Sequence, residues 1–148
     1  MTIEGWIHPV HTEFEARKLV DFIRNHKSLR VIMHVAILNG TLETRDRRRV
    51  GQENKRTLLI MYNSLGEREF LEDMRNDLNI SIESLFTLDD LKDIDKEYIG
   101  DGVDIEDEDA VVWKIRNVDY IDWEDYYDYD KDKVISDFFH GKEIITIS

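Results

Sequence analysis

Two apolar runs with a turn signal beside the first constrain this chain more than any other feature. Residues 29–38 are rich in β-branched and apolar side chains and lack a clear polar alternation. A run of that kind reads as a strand covered on both faces. Asn39-Gly40 follows at once. Both residues tolerate positive φ, and the pair is the strongest short-range signal for a type I′ hairpin turn. The chain is then expected to return antiparallel over residues 41–45. Residues 45–56 hold Arg45, Arg47, Arg48, Arg49, Lys55 and Arg56 against Asp46 and Glu53, and read as a basic loop with Gly51 at its tip. Residues 57–62 form the second apolar run, expected at the centre of a sheet.

Helix signals surround these strands. Thr12 and Glu15 have capping-box spacing, and Ala16, Leu19, Val20 and Ile23 recur at helical spacing, which predicts a helix over 13–26. Ser64 and Glu67 repeat the box before Phe70, Leu71, Met74 and Leu78, with Asn79 as a stop. Thr87 and Asp90 give a third box, expected to open a short helix through Leu91 and Ile94. Residues 132–139 read as a helix ended by Gly141. Residues 1–11 read as irregular, 80–86 as a short strand, 111–118 as an alternating strand and 143–148 as a last strand. Strands joined by a tight turn favour a partly antiparallel sheet. The expected class is α+β, a single domain over 1–148, with a mixed, mostly antiparallel sheet and three or four helices packed against it.

The charge distribution then narrows the function. The chain has 148 residues and a net charge of −13. Residues 1–88 carry 13 acidic and 13 basic side chains, whereas residues 89–133 carry 18 acidic and 6 basic. This acidic sub-region disfavours direct contact with nucleic acid or an anionic membrane and favours a basic protein or a cation. Cysteine is absent, so disulfide and thiol chemistry are excluded. No leader pattern and no membrane-length apolar run is present, and a cytoplasmic location is expected.

Within that region, residues 119–130 are written in triplets. Asp119, Asp122, Asp125 and Asp128 each precede an aromatic residue, Tyr120, Trp123, Tyr126 and Tyr129. Three residues advance an α-helix by 300°, so the four rings would spiral around it and could not share one core. One reading has the rings cover a sheet edge while the aspartates keep the surface soluble. The second is a contact patch, in which Tyr and Trp anchor and carboxylates pair with Arg or Lys. The third is a cation site, since Asp128, Asp130 and Asp132 have the 1, 3, 5 spacing of a calcium loop. Lys133 and Phe139 stand where that loop needs glycine and glutamate, which counts against it.

Catalytic signals are sparse. His8 and His11 are three apart, but Pro9 spoils a helical metal pair, and His34 lies in an apolar run. His26 and His140 sit at expected helix ends, where histidine is favourable without catalysis. A phosphate-cradling glycine loop and a nucleophile elbow are both missing. No cofactor and no resident metal is expected.

The leading expectation is a non-enzymatic inhibitor or regulator that masks the basic surface of a nucleic-acid-processing enzyme, with imitation of nucleic acid as one way of doing so. Its charge pattern resembles that of acidic inhibitors of restriction, repair or CRISPR nucleases. The expected partner-binding residues are Glu106, Asp107, Glu108, Asp109, Asp122, Trp123, Glu124, Asp125, Tyr126, Asp128, Tyr129 and Asp130. One alternative is an immunity protein or adaptor bound to another basic protein. The other is a divalent-metal nuclease or phosphoesterase, with the basic residues of 45–56 holding substrate. The 45–56 stretch reads as a solvated loop, an anion site, or a dock for the acidic region, in the same chain or in a homodimer.

Overall fold

The two apolar runs become neighbouring central strands of one antiparallel sheet. The structure, a computed structural model, describes residues 6–25, 32–63, 68–80, 86–87, 90–91, 94–98, 111–122 and 131–147. Among the described residues eight strands and three helices follow one another. They are β1 (Trp6–Val10), α1 (Glu13–Asn25), β2 (Ile32–Glu43), β3 (Arg49–Asn63), α2 (Arg68–Leu78), β4 (Phe86–Thr87), β5 (Ile94–Tyr98), β6 (Val111–Ile115), β7 (Val118–Ile121), α3 (Lys131–Phe139) and β8 (Thr146–Ile147). The main sheet has six strands in the order β4-β1-β3-β2-β7-β8, and β5 and β6 form a separate antiparallel pair. Every described strand pairing is antiparallel. The expected α+β class is the observed one.

Both faces of the central strands are covered, as their unbroken apolar runs require. On one face Val35, Ile37, Leu58, Ile60 and Tyr62 pack against Ala16, Leu19, Val20 and Ile23 of α1, Met74 of α2, and Val134 and Ile135 of α3. The Tyr62 hydroxyl donates to the Met74 sulfur at 3.4 Å, which satisfies a fully buried phenol. On the other face Ala36, Leu38, Leu59 and Met61 meet Phe86, Leu91, Ile115 and Val118.

The helices follow their local signals. Thr12 Oγ1 accepts the Glu15 N–H at 3.1 Å, while the Glu15 carboxylate accepts from the His11 N–H, one residue before the expected partner. Asn79, at φ 55, ends α2 in the left-handed conformation. Gly141, at φ 72, ends α3 with the two bonds of a Schellman motif, Lys142 N–H to Asp137 O and Gly141 N–H to Phe138 O.

Several strands depart from expectation. Asn39-Gly40 is not the turn, because β2 runs through it to Glu43 and the chain reverses over residues 44–48. The register there sets one residue of β2, Gly40, against residues 52–55 of β3. An odd number of extra residues flips side-chain alternation. That flip returns Val50 to the face already served by Leu59 and Met61. The 45–56 stretch is therefore a turn followed by strand, not a loop, and Gly51 lies opposite Thr41 inside the ladder.

Trp6–Val10 is a strand where an irregular start was expected. Among the described residues β4 flanks only Trp6 and Ile7 of β1, so Pro9 lies beyond its outer partner, where a missing N–H is tolerated. The short helix expected after Thr87 falls largely on residues 88–89 and 92–93, outside the described ones; Asp90 stands in a 3₁₀ turn, and Ile94, expected in that helix, opens a strand instead. The Thr87 N–H does donate to the Asp90 carboxylate at 2.8 Å, but Ile94–Tyr98 is strand β5. The single strand expected over 111–118 is two, broken at Asn117 with φ 66. Of the strands expected over 80–86 and 143–148, only Phe86–Thr87 and Thr146–Ile147 are seen among the described residues.

Candidate functional site

The acidic segments are strung between well-anchored elements. Tyr98 and Val111 are partners at the end of the β5–β6 pair. Antiparallel partners have Cα atoms about 5 Å apart. Asp101, Asp104, Glu106, Asp107, Glu108 and Asp109 lie in the chain between those two residues, so they are carried by a segment that leaves and returns at one point. The Asp-aromatic segment begins in β7, where Asp119 and Tyr120 face Ile37 and Ala36 of β2. The Asp122 N–H donates to the Ile145 carbonyl at 3.0 Å. The segment ends at α3, whose Val134 and Ile135 are fully buried. Of the expected partner-binding residues only Asp122 is described, and it is half-buried. Residues 106–109 and 123–130 lie outside the described residues.

Acidic side chains at the ends of this region are tied to neighbouring elements, one by an ion pair and one by a neutral amide. Asp132 pairs with Arg24 of α1 at 2.9 Å. Asp119 accepts from the Asn39 side-chain amide at 2.5 Å, and the Asn39 N–H donates to the Asn117 carbonyl at 2.8 Å. The residue expected to form a turn instead seats β7 on the sheet.

β2 and β3 continue past the last β1 pairing at Leu58 as a two-stranded arm. Its turn is a closed unit. The Arg47 N–H donates to Thr44 O, the Thr44 N–H to Arg48 O, and the Thr44 hydroxyl to the Asp46 carboxylate. That hydroxyl bond, with Arg48 next, holds the Asp46 carboxyl below its ordinary range. The turn is pinned to the start of the acidic sub-region. The Arg45 N–H donates to Asp90 O at 2.7 Å, and Arg45 Nε donates to Leu91 O at 3.1 Å. Arg48 pairs with Asp46 at 2.8 Å and Asp90 at 3.3 Å, and its guanidinium lies 4.6 Å from the centre of the Phe86 ring. Arg56 lies over Phe138 at 5.6 Å. Of the three readings of the basic stretch, docking on the acidic region within the chain holds for Arg45 and Arg48. Arg47, Arg49 and Lys55 remain exposed.

Arg48 and Asp90 are part-exposed, so each ion pair is weak alone. The stacking on Phe86 adds apolar contact. Arg48→Ala is expected to lower stability by about 1–2 kcal/mol, read from urea midpoints. Arg48→Lys should recover little of that, because an ammonium cannot both fork between carboxylates and stack.

Nothing among the described residues converges as a catalytic centre. His8 is buried while His11 is exposed, so they do not form a metal pair. Among the described residues no group of three or more His, Asp or Glu is arranged to hold a metal. His140 Nε2 lies 3.1 Å from the Glu13 carboxylate, a contact that ties α3 to α1. The described residues line small clefts, among them the following two. One of about 220 Å³ lies between Leu42, Leu91, Ile115 and Arg116, and one of about 240 Å³ lies between Phe14, Lys18, Leu78 and Ile80. Among the described residues no helix is long and apolar enough to cross a membrane.

Comparison with known proteins gives no match to a family model, to a curated protein or to a solved structure. The functional reading therefore rests on the charge and geometry of this chain alone.

Sequence reasoning located the acidic sub-region by counting charges but missed the Arg48–Asp90–Phe86 contact. Those residues lie tens of positions apart, and no short-range spacing joins them. The Thr87–Asp90 box was a partial signal, because it fixes the carboxylate that Arg48 meets.

Proposed function

We propose that the protein is a non-enzymatic inhibitor or regulator whose acidic surface covers the cationic groove of a nucleic-acid-processing enzyme. The observation that carries the reading is the segregation of charge on anchored chain. Residues 89–133 hold 18 acidic side chains against 6 basic, and their acidic stretches start and finish on paired strands or on a buried helix. Carboxylates tethered this way lose less freedom on binding than those of a free acidic tail. They also build a field that draws a basic partner in and orients it. Asp122, Glu124, Asp125, Asp128 and Asp130 would pair with Arg or Lys, with Trp123, Tyr126 and Tyr129 as anchors. Residues 106–109 would extend the field.

The test is capture of the partner from host cells at low salt, followed by competition with duplex DNA. Neutralising the five carboxylates (D122N, E124Q, D125N, D128N, D130N) is expected to slow association by on the order of 10–100-fold and to weaken its salt dependence. The melting temperature should hold or rise, since like charges are removed. Unchanged binding by that variant, or a captured partner that DNA does not displace, would remove the reading.

A further inference from the structure

The outer edge of β2 is covered on both sides of Thr41 but not at it. β7 covers Ala36–Leu38, and the Asn39 N–H donates to the Asn117 carbonyl, where β6 gives way to β7. Farther along, the Arg45 N–H donates outwards to the Asp90 carbonyl, while the Thr44 N–H is spent inwards on Arg48. Backbone groups alternate along a strand, so the Thr41 N–H and carbonyl face outwards as those of Arg45 do. Nothing among the described residues hydrogen-bonds to them. A cleft of about 220 Å³ opens at this point. Its floor is apolar, made by the buried side chains of Leu42, Leu91 and Ile115. Its rim carries opposite charges, Glu43 on β2 and Arg116 beside Asn117, both exposed. Arg116 makes no ion pair among the described residues, so the two rim charges stand in one cleft without closing on each other.

We propose that this cleft binds a small apolar α-amino acid in its zwitterionic form. The ligand carboxylate accepts from the Arg116 guanidinium. The ligand ammonium donates to the Glu43 carboxylate and the Thr41 carbonyl. The aliphatic side chain lies on Leu42, Leu91 and Ile115, and its burial favours it over glycine by about tenfold or more. Size selects the same class. The cleft has room for on the order of seven waters at roughly 30 Å³ each, which suits one amino acid and not a nucleotide. An added peptide strand is excluded because residues 117 and 90 already occupy the edge on either side of Thr41. Charge selects further. A chain at −13 opposes a simple carboxylate, whereas a zwitterion carries no net charge and still satisfies both rim groups. The cleft uses none of the residues assigned to the partner surface, so it stands or falls apart from that reading.

Amide-resolved NMR of the full chain, titrated with L-leucine, tests the site. Saturable shifts are expected at Thr41 and Asn117. Three probes each lack one feature: glycine the side chain, isocaproate the ammonium, and leucinamide the carboxylate. Each is expected to bind about tenfold more weakly than leucine, or less still. Arg116→Gln should weaken leucine about tenfold while leaving leucinamide as it was. Arg116 is exposed and has no described partner to lose, so the melting temperature should not move. Glu43→Gln is the second variant, and it should weaken leucine while leaving isocaproate unchanged. The absence of saturable shifts up to about 10 mM leucine would overturn the proposal. So would leucine binding undiminished in R116Q, shifts that spare Thr41 and Asn117, or isocaproate binding as tightly as leucine, which would make the cleft an anion site only.

Discussion

Lowering the pH from 7 to 4 is expected to unfold this protein, with two buried histidines as the main cause. His8 is 4% exposed in β1, and His34 is 2% exposed in β2. His8 lies in register with Ile60 and His34 with Met61, adjacent positions on β3 whose side chains point to opposite faces. One imidazole therefore sits in each layer of the core. Burial pushes His8 down to about 4 from the ordinary 6.5. Burial, with the Lys131 charge as a smaller cause, pushes His34 down to about 4 as well. The folded chain keeps both rings neutral below pH 6.5, while the unfolded chain protonates them, so the unfolded state binds more protons and stability falls with falling pH. The loss begins near 6.5 and is complete near 4. It amounts to roughly 3 kcal/mol for each ring. Together they approach a large part of the about 5–15 kcal/mol that holds a typical domain.

Two other effects fall at distinguishable places. Hydrogen bonds from Arg17, Thr44 and Lys133 hold Glu13, Asp46 and Asp137 respectively below the ordinary carboxylate range. Their stabilisation is present above that range and is lost only as pH falls through the depressed values, after the histidines have acted. Relief of the −13 self-repulsion works in the opposite direction over the whole span. Urea midpoints measured between pH 7 and 4 should therefore decline for wild type and decline much less for His8→Leu/His34→Leu. Equal declines in the two proteins would clear the imidazoles of responsibility.

How far the sequence carries depends on how local the cause is. α1 was legible because its cap and apolar spacing lie within one helix length, and α3 because its apolar spacing and terminal glycine do. β1 was not, because Trp6–Val10 has no strand pattern of its own and is held extended by residues 58–62 of β3. The Asn39-Gly40 signal was real, since Gly40 does take φ 81, but it serves a ladder irregularity. Leu42 and Val50 beyond it still have Leu91 and Ile115 to bury against, so extending the hairpin removes more apolar surface from water than reversing at Gly40 would. β5 carries a period-two pattern, Ile94-Asp-Lys-Glu-Tyr98, that its acidity concealed. The candidate site divides along the same line. The excess of acidic residues is a property of composition and is read directly. The arm turn that meets Asp90 is a tertiary product, fixed only when Phe86 and Leu91 reach the far face of the sheet.

The same irregularity gives the largest expected effect of a single methyl group. Gly51→Ala should destabilise the protein by roughly 2–5 kcal/mol, the sum of a left-handed alanine and overpacking. Gly51 has φ 86, and a Cβ there would stand 2.4 Å from the Gly40 carbonyl oxygen and 2.7 Å from Leu38 Cδ2. Neither neighbour yields easily. The oxygen is backbone in the ladder irregularity, and Leu38 is fully buried. Gly40, at φ 81, and Gly141, at φ 72, are built on the same conformational need, but a Cβ at either meets nothing within 4 Å. Their alanine variants should cost only about 1 kcal/mol each. The three variants thus separate conformation from space. Urea midpoints with unchanged m-values should place Gly51→Ala well below two similar partners. If all three fell together, β2 and β3 would have a way to part at Gly40 without loss. The ladder around Gly40 and Gly51 would then be looser than its register implies.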